Sequence, residues 1–512
     1  MILNNMILRE GMFMQLTYKV DDKNTVDFNN NVDFCVGTGR MGLALQKEYM
    51  DQLRAVQEDI GFKHIRGHGI FSDDMAIYQE FKGKDGEVII EYNFTYLDLV
   101  MDSYKEVGIK PFLELGFMPE KMASGEQTIF YWKGNVTPPK DYKNWCDLVV
   151  ATLKHLMERY GKEEVVTWPI EVWNEPNLPG FWKDADMDEY FVLFENTFNA
   201  IKKLDKRFKV GGPAICGVED VKYMTMFMDF ISKKKIPVDF ITRHHYTSEV
   251  PDFNGHYGYI KLVELNESLE TLNDSRRIID SYPDYKGIQM HITEFNTSYI
   301  PNAPIHDTNQ NAAYTASLLA RLGETSESYS YWTFGDVFEE MGVPFAPFHG
   351  GFGMMANRGI KKPTYYAFKF FKQLKGRCVM KNDNCVICKE DDVYRGVLFN
   401  SNTQRTGNDL EITLEFEGDE ERYSLIQRIV DEDTCNPLKL WHAMGEPSSL
   451  SQEQIKLLRE SDNPLTGSDI LAPDDKKISA SFIVKEFGLI YFELRPLYLK
   501  ADRGYDYDRV MS

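Results

Sequence analysis

Between about residue 34 and residue 335 the chain alternates between two textures: a short apolar run, a polar or Gly-rich loop, then a longer stretch with apolar residues every three or four positions. Short runs bounded by turn residues predict strands, and the longer stretches predict amphipathic helices, so the repeat predicts βα units. The runs lie at residues 34–36, 64–68, 110–117, 169–174, 208–212, 238–242, 289–294 and 328–334. Helical stripes are clearest at Leu43, Leu45, Tyr49, Leu53 and Val56, and at Trp145, Leu148, Val149, Leu153 and Leu156. Eight strands with helices between them predict a (β/α)8 TIM barrel, because an open doubly wound sheet usually has about five to seven. Gly37-Thr-Gly39, with Gly42 at the third position, is weak as a nucleotide loop because no acidic partner is evident where a dinucleotide fold needs one.

Past about residue 360 the texture changes. A helix at 364–374 closes the barrel, and short alternating runs at 393–399, 410–416, 478–484 and 489–494 predict an appended β-sandwich. The stretch 14–20 also alternates and is expected to add a strand to it. The expected division is a catalytic barrel at 28–355 and an accessory sandwich at 14–27 and 356–500, with a helical insertion near 449–461.

Composition narrows the partners. The 512 residues are 43% hydrophobic and 27% charged, enough for large globular cores. A net charge of −21 repels nucleic acid and anionic membrane surfaces. No stretch approaches the ~20 apolar residues of a membrane span, and Arg9, Glu10, Gln15 and Lys19 break any signal core, so a cytoplasmic location is expected. Seven scattered cysteines predict free thiols. Cys385-Val-Ile-Cys388, with Cys378 before it, is a weak zinc pattern inside what reads as a strand, and no metal is expected.

Barrel active sites lie at the C-terminal ends of the strands. Two of the eight runs end in glutamate there: Trp173-Asn174-Glu175-Pro176-Asn177 on the fourth and Ile292-Thr293-Glu294-Phe295-Asn296 on the seventh. A pair of carboxylates at one mouth is what cleavage of a glycosidic bond requires. These motifs resemble those of the retaining barrel glycosidases. With Cys35-Val-Gly-Thr-Gly-Arg40, Ile65-Arg-Gly-His-Gly69, Gly134-Asn-Val-Thr-Pro-Pro139, Arg243-His244, Tyr246-Thr-Ser248 and His349-Gly-Gly-Phe-Gly353, the chain more closely resembles β-xylosidases of glycoside hydrolase family 39.

The resemblance implies a retaining, exo-acting hydrolase that releases β-D-xylose from the non-reducing ends of xylo-oligosaccharides or from aryl and alkyl xylosides, with no cofactor. Glu175 would be the acid/base, Glu294 the nucleophile and Asn174 the partner of the sugar 2-hydroxyl. His68, His244 and Tyr246 would bind hydroxyls or orient Glu294, Phe130 and Trp332 would wall the first subsite, and one or both of Glu339 and Glu340 would bind the far hydroxyls. His245 and Phe295 depart from the usual family residues, and both are expected at the pocket. Family likeness also implies a homo-oligomer. The alternatives are the same machinery on another sugar, as in a β-glucosidase, an arabinosidase or an iduronidase, and a non-catalytic carbohydrate-binding protein.

Overall fold

The structure is a computed structural model and describes residues 13–499 and 504–511. The first part of the segment expected to lack a signal core, residues 1–12, and residue 500 at the end of the expected sandwich lie outside the described residues.

Eight parallel strands close into a barrel. In order they are Cys35–Arg40, His64–His68, a third in two pieces (Lys110–Pro111 and Leu113–Leu115), Pro169–Val172, Lys209–Ile215, Phe240–Tyr246, Met290–Asn296 and Ser328–Tyr331. Closure is direct: strand one pairs with strand eight at Val36 and Tyr331 and with strand two at Cys35 and His64. The two pieces of strand three pair with opposite neighbours, Lys110 with His64 and Leu113 with Ile170. The strands are near-continuous apolar runs because helices cover their outer faces while side chains fill the inside. Gly37 and Gly39 therefore lie inside strand one, and no phosphate loop forms there.

Strand seven carries a bulge where it matters. Arg243 of strand six faces Ile292, but the next residue, His244, faces Glu294, so Thr293 is an extra residue. Bulges re-aim side chains next to active sites. This one turns Glu294 and Asn296 inward and leaves Phe295 on the outer face.

The sandwich has a three-stranded sheet of Phe13–Lys19, Asp409–Glu417 and Lys477–Val484, and a six-stranded sheet in the order Arg377–Lys381, Cys385–Glu390, Val393–Phe399, Leu489–Pro496, Tyr423–Val430, Leu465–Leu471. The strand at the start of the chain runs parallel to Asp409–Glu417, with Leu16 opposite Ile412. Alternation is plain in Leu410, Ile412, Leu414 and Phe416, which meet Ile478, Ala480, Phe482 and Val484 in the sandwich core. The other face of the larger sheet, including Cys388, Val397, Phe399 and Tyr491, joins the barrel core through the helix Pro363–Gln373, where Phe370 meets Tyr491 at 5.6 Å. Cys385 belongs to the first of these layers and Cys388 to the second. A spacing of three puts the two thiols of the CxxC on opposite faces of one strand, so they do not converge on one ion.

The insertion has two helices, Pro437–Ala443 and Gln452–Ser461, the first of them not anticipated. A capping box of Ser451 and Gln454 starts the second. Leu458 packs on Phe348, Ala356 and Ile360 of the loop that follows strand eight. Among the described residues no helix is long and apolar enough to cross a membrane.

Candidate active site

Glu175 sits just past strand four, in a turn whose backbone is left-handed at two non-glycine residues, Trp173 (φ 73°) and Glu175 (φ 45°). Such conformations persist where the surroundings over-determine them. Here Trp173 is locked between Phe117 and Trp182, its indole N–H donates to Phe181 O at 2.8 Å, and the Glu175 amide donates to Ala214 O at 3.0 Å. Glu294 comes from the bulged strand across the barrel. A carboxylate oxygen of Glu175, one of Glu294 and a ring nitrogen of His244 all lie within 4.8 Å of one another.

Each oxygen of Glu294 has a donor: Arg66 Nη1 at 2.7 Å on Oε1 and the Tyr246 hydroxyl at 2.7 Å on Oε2. Burial and the adjacent Glu294 and Glu175 raise the Tyr246 pKa well above that of a free tyrosine, so it remains a donor. Glu175 Oε1 and His244 Nδ1 share a hydrogen bond of 2.7 Å. The two titrate in opposite directions. Burial, then the charge of Glu294, raises Glu175 well above the usual carboxyl range, while burial and the Arg66 charge push His244 well below the usual imidazole range. Both shifts favour the uncharged forms, a protonated Glu175 beside a neutral ring. Spacing alone would let Glu175, His244 and Glu294 hold a cation; here His244 Nδ1 is engaged with Glu175 and an oxygen of Glu294 with the Tyr246 hydroxyl.

Arg66 is the hub, and sequence reading gave it no role. It is fully buried and bonds Glu171 at 2.6 Å, Glu294 at 2.7 Å, Asn174 Oδ1 at 2.9 Å and Glu114 at 3.0 Å. Burial works against its charge, but Glu171, Glu114 and Glu294 outweigh it and hold the guanidinium protonated. Asn174 is thereby fixed beside Glu175. His68 bonds Glu114 through Nδ1 at 2.7 Å, and its Nε2 stands 3.7 Å from Glu294 and 3.8 Å from Glu340. Trp332 and Phe130 flank His68, with ring centroids at 4.6 and 5.8 Å. The sequence signal for Glu114 and Glu171 is a carboxylate flanked by apolar residues within a strand, whereas Arg66 sits among the polar residues of His64–His68.

Three expected residues face elsewhere. Glu340 joins the cluster, where burial and then Glu294 and Glu175 raise its pKa well above the ordinary value. Its neighbour Glu339 does not: Arg40 and Gln46 hold its two oxygens at 2.7 and 3.0 Å, and Arg40 also pairs with Asp74. His245 bonds Ser268 on the helix Leu265–Asp280 at 3.0 Å, and Phe295 packs on Tyr329, Tyr331 and Phe368. Both were expected at the pocket. They point outward because strand residues alternate and their neighbours His244, Tyr246 and Glu294 point in.

Gly37 makes room for Trp332. A Cβ there would stand 2.5 Å from Trp332 Cε3. Gly37→Ala is expected to displace the indole, cost about 1–3 kcal/mol of stability and raise KM for glycosides, as denaturation and steady-state kinetics would report. A cavity of about 770 Å3 lies elsewhere, between the helix Lys47–Asp59 and the helical insertion, and holds none of these carboxylates.

Over 436 residues the chain is 48% identical to a β-xylosidase of Geobacillus stearothermophilus, covering 84% of this chain and 86% of the relative. It is 35% identical to a β-xylosidase of Caldicellulosiruptor saccharolyticus over 438 residues, covering 83% and 86%. A monomeric β-xylosidase from Caulobacter crescentus CB15 superposes with a TM-score of 0.86 at 31% identity, over 94% of this chain and all of the other. The family model "Glycosyl hydrolases family 39" matches residues 17–475, and with a barrel that brings two glutamates together at its strand ends, the chain belongs to the glycosyl hydrolases of family 39.

Proposed function

We propose that the protein is a retaining exo-β-xylosidase in which Glu294 is the nucleophile and Glu175 the acid/base. The observation that carries this is the approach of oxygens of Glu175 and Glu294 to within 4.8 Å. Retaining glycosidases hold their carboxyl groups about 5 Å apart, whereas inverting ones leave about 6.5–9.5 Å for a water. In the first half-reaction Glu294, steadied by Arg66 and Tyr246, attacks the anomeric carbon while Glu175 gives its proton to the departing oxygen. Esterification removes the charge of Glu294. The Coulombic part of the Glu175 shift then vanishes, its pKa falls, and it takes a proton from the water that frees the sugar.

The sugar is proposed to be a neutral pentose. Arg66 is committed to three glutamates, and Arg40 to Asp74 and Glu339, so neither guanidinium is spare to pair with a uronate carboxylate. Asn174 is proposed to meet the 2-hydroxyl, with His68 and Glu340 on the far hydroxyls and Trp332 and Phe130 against the ring. Exo action is supported by enclosure: Glu175 is 6% exposed, Glu294 4% and Glu340 9%. The same proposal carries a cytoplasmic location, which suits seven free cysteines, and self-association. Size-exclusion chromatography tests the latter, since the Caulobacter relative is described as monomeric.

Proton NMR of the anomeric signal released from an aryl β-xyloside tests substrate and stereochemistry together. The β-anomer should appear first, and an initial α-signal would exclude retention. Faster turnover of an aryl glucoside than of the xyloside would overturn the pentose assignment. Glu175→Ala should lose about 10²–10⁴-fold in kcat/KM on poor leaving groups and far less on activated phenols, which need no proton. Because Glu175 must be protonated to act and its pKa is raised, wild-type kcat/KM should fall as pH rises through that value. Glu175→Ala should lose that alkaline limb.

A further inference from the structure

The loop between strand eight and the helix Pro363–Gln373 spans residues 332–362 and carries Trp332, Phe338 and Glu340, yet its only ladder pairs Met355–Ala356 with Ile360–Lys361. Long irregular segments are mobile unless something fixes them. Here one ammonium closes the loop on itself. Lys362 Nζ, fully buried, pairs with Asp336 at 2.6 Å and with Asp307 at 2.6 Å, and donates to Gly351 O at 2.8 Å, so three oxygens surround one ammonium. The carboxylates extend the clasp: Asp336 Oδ1 accepts the Gly353 N–H and Asp307 Oδ2 the Gly350 N–H, each at 2.7 Å. Gly350 and Gly353 permit this approach, since a Cβ on either would stand 2.5 or 2.4 Å from the backbone of Ala303 or Gly335. The His349-Gly-Gly-Phe-Gly353 motif is thus explained by packing around a buried charge.

Two aspartates and a lysine in a dry site are costly, and one use that offsets the cost is to fix a single arrangement. Asp336 lies four residues from Trp332 and four from Glu340, whereas Lys362 touches neither Glu175 nor Glu294. We infer that Lys362, through Asp336 and Asp307, is a positioning residue for the far wall of the sugar site, holding Glu340 beside His68 and Trp332 against Gly37. The inference deepens the glycosidase reading and rests on it for its kinetic part.

Two variants test it: Lys362→Met, and the charge-free combination of Lys362→Met with Asp307→Asn and Asp336→Asn, which leaves no unpaired buried carboxylate if the single variant fails to fold. Without substrate, amide hydrogen exchange across residues 333–361 should quicken about tenfold or more while the barrel strands stay protected. With aryl xyloside, KM should rise about tenfold with kcat changed less than about threefold, the signature of lost binding and not of lost chemistry. Unchanged exchange in a folded variant, an unchanged KM, or a loss confined to kcat would overturn the assignment. An unaltered protein inactive on every glycoside would instead defeat the proposed function, and the exchange comparison would still decide the role of Lys362.

Discussion

Glu294→Ala is expected to abolish turnover, with kcat down on the order of 10⁵–10⁶-fold, about 7–8 kcal/mol of barrel-held transition-state stabilisation. The fold should survive, because the change removes a carboxylate from a group that also contains Glu175, Glu114, Glu171 and Glu340. Removing the side chain leaves a small space with two donors, Arg66 Nη1 and the Tyr246 hydroxyl, that formerly met the carboxylate. Azide fits that description as a small anion. Added azide should restore cleavage of an activated aryl xyloside, and because only one displacement then occurs the product should be the α-xylosyl azide. Wild-type rates in the unrescued variant, or a β-configured azide, would remove Glu294 from the nucleophile's role.

Arg66→Met should be the most damaging change that leaves both proposed catalytic carboxylates in the sequence. It strips the counter-charge from Glu114, Glu171 and Glu294 in a fully buried position. Breaking one side of a buried pair costs about 3–5 kcal/mol, and here three carboxylates lose the same partner. Chemical denaturation should show a loss of at least that size. Activity should fall about 10²–10³-fold as well, since the Arg66 guanidinium fixes both Glu294 and Asn174. Adding Glu171→Gln to Arg66→Met should restore part of the stability by removing one of the stranded charges, but should not restore the rate. A single variant as stable as the parent would show that these carboxylates share protons among themselves and do not depend on the arginine.

The barrel was legible because each strand is a short apolar run with a helical stripe after it, and the two glutamates were legible because each ends such a run. What escaped depended on closure. Arg66, Glu114 and Glu171 stand in the interiors of strands two, three and four, and only the cylinder brings them together. For His245 plain alternation carries the signal, since His244 and Tyr246 point inward; for Phe295 it is hidden by the bulge at Thr293, which itself faces Glu171 and resets the period before Glu294. Glu339 and Glu340 could not be told apart by any period, because they lie in an irregular loop. A distant residue, Arg40 at the end of strand one, holds Glu339 away from the carboxylate cluster that Glu340 joins. The short helix Pro437–Ala443 had its signature in Asn436-Pro437, where the Asn436 side chain accepts from the Lys439 amide, but seven residues give little periodicity to read.

The strand Phe13–Lys19 lies against Asp409–Glu417, so the small sheet is assembled from opposite ends of the polypeptide. On a ribosome adding about 5–20 residues per second, the first of these strands waits roughly 20–80 s for its neighbour to be made. During that interval its edge is open while the whole catalytic cylinder is synthesised. The small sheet can therefore pair only after the barrel segment has been made, and trimming the chain back to the barrel would remove one partner of that pairing along with the other.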